Sequence, residues 1–292
     1  MTSQYHYQCP MSTEDRPWVR DMPGCLKKLS ELLPAMENVL ALEEPVMDLR
    51  LPCMVVGDLH GNMKALDLII HMWRSFSCPQ LLFLGDYVDR GNASVDVLIS
   101  LFEMKRQDWK NIILLRGNHE SPEMNRKYGF FDEIGRNEEM LADVTSVFKK
   151  MPVAAILPGG IFCVHAGIPG VCSIDDIKKE NSFEFLWNDP WEHEGMGPSP
   201  RGIAIHLFGR DVLEAFLEKN QLRMMIRAHS ALMSGYEWFF DKQLLSLFSA
   251  PAYCGADNKG AFALLHMSGM CIYVFGGSRE KYELIKRESI YI

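Results

Sequence analysis

The sequence predicts an α/β fold, and three observations predict it. Three short apolar runs, at positions 51–56 (LPCMVV), 80–84 (QLLFL) and 111–115 (NIILL), have the composition of strands buried on both faces of a mostly parallel sheet. Between them, apolar residues recur at helical spacing: Leu66, Ile69, Ile70 and Trp73, then Val95, Leu98, Ile99 and Phe102. Each run stops at a polar cluster, reading GDLHGN, GDYVDRG and RGNHE in turn. Strand-helix-strand crossovers are nearly always right-handed, so these strands lie parallel with their carboxyl ends on one rim. Asp58, His60, Asp86, Asn118 and His119 then share that rim, where open α/β sheets place their ligands.

The remaining elements follow in chain order. Residues 1–20 are polar and irregular and read as a flexible extension. Apolar residues recurring at helical spacing from Leu26 to Leu42 predict a helix that Pro34 breaks or kinks into two pieces. After the core motifs, Leu141, Val144, Val147 and Phe148 mark one helical face. AAIL and GIFCV flank Pro158-Gly159-Gly160 and predict a hairpin whose second strand ends at His165. Residues 171–202 are loop-rich, a helix follows over Asp211–Asn220, and LRMMI is a further strand ending in Arg227-Ala228-His229. From Tyr236 to Phe275, β-rich segments alternating with turns predict the hairpins of a second, more antiparallel sheet. The last residues, 281–292, mix both signs of charge and read as a solvated tail, leaving 21–280 as one domain.

Composition narrows the function. With 292 residues, 48% of them hydrophobic, the chain can bury a sizeable core. A net charge of −8 gives no general attraction to nucleic acid or an anionic membrane, so a phosphorylated substrate needs local cations. The eight cysteines contain no CxxC pair and read as reduced thiols. With no secretory pattern at the start and no stretch of membrane-spanning length, the expected location is the cytoplasm, with the nucleus as a second compartment.

The strand ends gather Asp58, His60, Asp86, Asn118, His165 and His229, a mixture of hard oxygen and borderline nitrogen donors that suits Mn, Fe or Zn. A carboxylate such as Asp86 can bridge two cations, and two-metal sites suit displacement at phosphorus. Arg90 and Arg201 are fitted to bind phosphoryl oxygens in a bidentate fork, with a surface ion pair as the plainer alternative. His119 is fitted to protonate a departing alkoxide, and Asp89 is the best candidate for the carboxylate beside it. Asp189, in an Asn-Asp-Pro turn, reads as structural.

Taken together with the later His-Ala-Gly, Arg-Ala-His and SAPAYCG, these motifs resemble the phosphoprotein phosphatase family of metal-dependent serine/threonine phosphatases, over roughly Leu26 to Phe275. The type 1 and type 2A catalytic subunits and calcineurin's catalytic core share the motif order. The resemblance implies a central sandwich of two mixed β-sheets flanked by helices. It implies two divalent cations, Mn or Fe with Zn: one on Asp58, His60 and Asp86, the other on Asp86, Asn118, His165 and His229. It makes His119 the general acid oriented by Asp89, makes Arg90 and Arg201 phosphate clamps, sets Asn118 facing the substrate, and lines the phosphate pocket with Tyr253, which could otherwise be a packed strand-end aromatic. Phosphorylated proteins are the implied substrates and regulatory or targeting subunits the implied partners.

The chain departs from the pattern at Asn62, where Gln is usual, at Ala166 in a usual Gly-Gly pair, and at Ala252, where Asn is usual. The segments Val171–Phe185 and Gly255–Asn258 are also shortened. Two other functions compete: a dinucleoside polyphosphate hydrolase using the same first three motifs, and a silent phosphoprotein-binding scaffold. SAPAYCG and the Trp187-Asn188-Asp189-Pro190 turn favour the protein phosphatase.

Overall fold

The computed structural model describes residues 21–277 and 281–290. In chain order, helix α1 (Met22–Ala41) and strand β1 (Val46–Asp48) precede the crossover core. That core is β2 (Cys53–Val56), α2 (Met63–Ser75), β3 (Gln80–Phe83), α3 (Ser94–Gln107) and β4 (Ile112–Leu114). Helices α4 (Pro122–Tyr128), α5 (Phe130–Glu133) and α6 (Glu138–Lys150) lead to the hairpin β5 (Ala154–Leu157) and β6 (Ile161–Val164). Next come α7 (Phe183–Trp187), the short strands β7 (Asp189–Pro190), β8 (Met196–Pro198) and β9 (His206–Phe208), then α8 (Arg210–Lys219) and β10 (Met224–Arg227). The chain closes with β11 (Tyr236–Phe239), β12 (Leu244–Leu247), β13 (Gly260–His266), β14 (Gly269–Gly277) and β15 (Tyr282–Ile290).

Two mixed six-stranded sheets result, in the orders β1-β5-β6-β10-β12-β11 and β15-β14-β13-β2-β3-β4. Strands β2, β3 and β4 run parallel as the crossovers require, and so do β6, β10 and β12. The two-residue alternation of strands divides the apolar side chains between layers. Val55, Leu82 and Ile113 pack between the sheets with Cys163, Ile226 and Leu245, while Met54, Val56, Leu81 and Phe83 face the helical layer that contains Leu29, Leu66 and Leu98. A third cluster, with Phe162, Leu213 and Phe216, lies beneath α8. Because both faces of β2–β4 are covered, their apolar runs show no polar alternation.

The expected sandwich is present, with four local corrections. Helix α1 runs unbroken through Pro34. Pro34 itself is exposed, so water can satisfy the carbonyl one turn before it, while buried Leu32, Leu33, Met36 and Leu40 hold the opposite face to the core. The hairpins after Tyr236 do not make a separate antiparallel sheet. The β11–β12 pair extends the first sheet by parallel pairing with β10, and β13–β14 joins the second by antiparallel pairing with β2.

The stretch read as a solvated tail forms β15, antiparallel to β14. Its side chains are mostly exposed, which is why it shows no apolar period, but its backbone completes the edge of the sheet. Within the loop-rich 171–202 region, β7 and β8 join β9 in a small third sheet. The extension expected at residues 1–20 lies outside the described residues.

Candidate active site

Strands β2, β3, β4, β6 and β10 deliver Asp58, Asp86, Asn118, His165 and His229 just past their carboxyl ends. The turns that do so are unusual. His60, Asp86, Asp89, Arg90 and His229 all have φ between 45° and 69°, a left-handed conformation that costs an L-residue roughly 1–2 kcal/mol. Such strain persists only where surrounding bonds over-determine it. Here Leu59 and His60 donate their backbone N–H groups to Asp86 O at 3.0 and 2.9 Å, His119 N donates to Asp86 Oδ1 at 3.0 Å, and His229 N donates to Asp58 Oδ1 at 3.0 Å.

The ligand atoms face one another as acceptors. His60 Nδ1 lies 3.0 Å from the Val88 carbonyl and His165 Nδ1 lies 3.0 Å from that of Leu84, contacts that place the ring proton on Nδ1 and turn each Nε2 lone pair inward. His60 Nε2 then sits 3.8 Å from Asp58 Oδ2 and 3.6 Å from Asp86 Oδ2. His165 Nε2 sits 3.4 Å from Asp86 Oδ1 and 3.1 Å from both Asn118 Oδ1 and His229 Nδ1. Asp58 Oδ2 is buried without a hydrogen-bond partner.

Burial pushes Asp58 up to about 7, and burial plus the neighbouring Asp58 charge pushes Asp86 well above the usual carboxylate range. Burial likewise drives His60, His165 and His229 well below the ordinary imidazole value, so none supplies a positive charge. A buried cluster of carboxylate and imidazole groups that loses solvation without gaining a counter-charge fits divalent cations. The donor atoms fall into two overlapping groups, each within 4.8 Å: Asp86, His165 and His229, and Asp86, His60 and His119, with Asp86 common to both.

His119 is also tied to a carboxylate. Its Nδ1 lies 2.7 Å from Asp89 Oδ2, and Asp89 is itself held by Asn125 Nδ2 at 3.1 Å and Phe130 N at 3.0 Å. This fixes the imidazole with Nε2 toward the site. The Arg90 guanidinium lies 3.7 Å from the centre of the Tyr128 ring, which is also 5.3 Å from His119. Tyr253 packs against His60 with ring centres 5.0 Å apart, and burial raises its hydroxyl above the ordinary phenol value, so it stays protonated.

Arg201 Nε donates to Asp189 Oδ2 at 2.5 Å, and Arg227 Nη2 donates to Asp189 Oδ1 at 2.8 Å. Asp189 is buried. Burial would raise its pKa, but the two guanidiniums outweigh burial and hold it below the usual carboxylate range.

Residues 51–233 match the family model of calcineurin-like phosphoesterases. The chain belongs to that family. Its members are hydrolases that normally work with a dinuclear metal centre, as the donor set here would allow. Among solved structures, a protein serine/threonine phosphatase from Saccharomyces cerevisiae with similarity to human phosphatase PP5 is 28% identical, with a TM-score of 0.77 over 91% of this chain and 90% of that one. A cold-active protein-tyrosine phosphatase of a psychrophilic Shewanella shares the fold at 13% identity, with a TM-score of 0.58 over 85% of this chain and 84% of that one.

In this calcineurin-like phosphoesterase the seven strand-end candidates, with Asp89, converge as their motifs suggest. Four supporting residues escape a reading of motifs. Tyr128 stacks on Arg90, Asn125 steadies Asp89, Arg227 shares Asp189 with Arg201, and Glu120 binds three backbone N–H groups. Arg227 and Glu120 stand inside quoted motifs, so proximity could have flagged them. For Tyr128 and Asn125 the only signal is their place on the helix that follows RGNHE. Asp189, read as structural, is structural in a specific sense: it anchors a candidate phosphate clamp.

Proposed function

We propose that this phosphoesterase hydrolyses phosphoserine and phosphothreonine in proteins. The observation that supports the reading is the His119–Asp89 pair set beside two overlapping groups of candidate cation ligands that share Asp86, with the Arg90 guanidinium held on Tyr128 and that of Arg201 on Asp189. The likeness to the yeast serine/threonine phosphatase supports the substrate class. Asp58, His60 and Asp86 would hold one cation and Asp86, Asn118, His165 and His229 the other, with Mn, or Fe with Zn, suited to this donor set. When bound, the cations would supply Lewis-acid activation of the phosphoryl group and of the attacking water.

The chain's own residues do the rest. The guanidiniums of Arg90 and Arg201 bind the phosphoryl oxygens and hold phosphorus in line. Tyr128 and Asp189 keep those guanidiniums in place, so little side-chain freedom is lost on binding. As the bond from phosphorus to the serine or threonine oxygen breaks, His119 Nε2 gives its proton to that oxygen, and Asp89 stabilises the imidazole that makes the transfer. The products are inorganic phosphate and the free hydroxyl, and no phosphorylated residue forms on the enzyme. We further propose action in the cytoplasm or nucleus and targeting by regulatory subunits.

The test is phosphate release by the Mn-loaded protein, run in parallel on a phosphoserine/phosphothreonine protein and on diadenosine tetraphosphate. Preference for the phosphoprotein is expected. Preference for the nucleotide would overturn the substrate class, and no release from either would favour a silent scaffold.

A further inference from the structure

We propose that Glu120 is a positioning residue for the metal centre, acting through the backbone of the two loops that carry Asp86 and Asn118. Its side chain is fully buried, and its hydrogen bonds go to backbone N–H groups and not to the ligand atoms of either loop. Instead, Oε2 accepts from Asp86 N at 2.7 Å and Gly117 N at 2.8 Å, and Oε1 accepts from Tyr87 N at 2.9 Å. One carboxylate thus joins the end of β3 to the end of β4 through three N–H groups that strand pairing has left behind. A buried N–H without a partner is costly, so the three together fix where the carboxylate sits and, reciprocally, how far apart the loops lie.

The surroundings leave no alternative filler. Gly85 has φ +110°, and a Cβ on it would come within 2.5 Å of Gly117 N. A Cβ on Gly117 would meet Asp86 Oδ1 at 2.2 Å and Glu120 Oε2 at 2.7 Å. The two loops therefore approach backbone to backbone, and Glu120 occupies the remaining space. Asp86 is held at φ 55° on one side by this carboxylate and on the other by Leu59 and His60, whose N–H groups bind its carbonyl. The carboxylate of Asp86, common to both ligand groups, is aimed by a backbone that Glu120 secures. Loosening that backbone moves a ligand of both cations at once.

The inference rests on the cation-binding reading of the site, but not on the choice of substrate, and its test reads metal binding directly. Glu120→Gln keeps the size and removes one acceptor, placing an amide N–H against a backbone N–H. Outer partners of metal ligands typically change metal affinity by about 10–100-fold when altered. Competition of Mn²⁺ against a chromogenic chelator is expected to show a weakening of that order in Glu120→Gln. A Leu98→Ala variant, a cavity in the helical layer far in role from the site, serves as the control for general destabilisation and should bind Mn²⁺ as wild type does. If Glu120→Gln does not fold, Glu120→Asp, which keeps the charge but shortens its reach to the three N–H groups, carries the same expectation. Mn²⁺ affinity within twofold of wild type in the folded variant overturns the proposal. Unchanged phosphatase preference with weakened Mn²⁺ binding supports it, and failure of wild type to bind Mn²⁺ at all would instead sink the cation-binding reading.

Discussion

Asp189→Asn separates the structural part of the site from the chemical part. Asp189 Oδ1 accepts from Arg227 Nη2 at 2.8 Å and from Ser230 Oγ at 3.1 Å, while Oδ2 accepts from Arg201 Nε at 2.5 Å. The two arginines differ: the Arg227 side chain is 1% exposed and cannot turn to water, whereas that of Arg201 is 31% exposed and can. Removing one partner of a buried ion pair costs about 3–5 kcal/mol, and the amide oxygen of Asn restores about 1 kcal/mol as a neutral hydrogen bond. With the Arg201 contribution discounted for solvent, the expected loss is about 2–4 kcal/mol, or roughly 3–7 °C in Tm for a chain of this length.

The pH dependence has a definite sign. The folded pKa of Asp189 lies below its unfolded value, so its contribution is present in full above the unfolded value of about 3.9 and declines as pH falls below it. Urea titrations should give a constant gap between wild type and variant from pH 5 to pH 8 that narrows as the pH falls to 3. Inhibition by inorganic phosphate should weaken severalfold as Arg201 loses its anchor. A gap under about 1 kcal/mol at pH 7, or one that widens toward pH 3, would refute the account.

Three further outcomes are expected. His119→Asn should lower turnover on a phosphoprotein by about 10²–10⁴-fold with metal content unchanged, and by much less on p-nitrophenyl phosphate, whose leaving group needs no proton; equal losses on both would dismiss the acid role. Tyr128→Leu should raise KM by about 2- to 30-fold through loss of the ring beneath Arg90, with Tyr128→Phe close to wild type, as steady-state kinetics would reveal. Ala252 sits at φ 56°, where an alanine Cβ is disfavoured, so Ala252→Gly should stabilise by several tenths to about 1 kcal/mol in a thermal melt.

How much of this was legible in the sequence depended on whether a feature was local. The strand ends at Asp58, Asp86 and Asn118 were readable because each ligand follows its apolar run directly and the crossover rule places all three on one rim. Hairpins were readable as neighbours, yet nothing local says which sheet a hairpin joins. That is why β11–β12 and β13–β14 were expected together and are found apart. Strand β15 escaped because an edge strand with solvated side chains needs no apolar alternation. Tyr128 and Asn125 escaped because their meaning lies in contacts across space, with Arg90 and Asp89.

The candidate site joins segments that are remote along the chain. Asp58 accepts from the backbone of His229, 171 residues away, and Gly57 donates to Ser249, 192 residues away. Closing such long loops is slow, because their entropy is spent before their contacts form. During synthesis the first half of the chain therefore emerges with an incomplete set of donors, and His229 arrives only after β10. Full-affinity metal capture should thus mark completion of the fold: a loaded molecule is one whose early and late segments have already met.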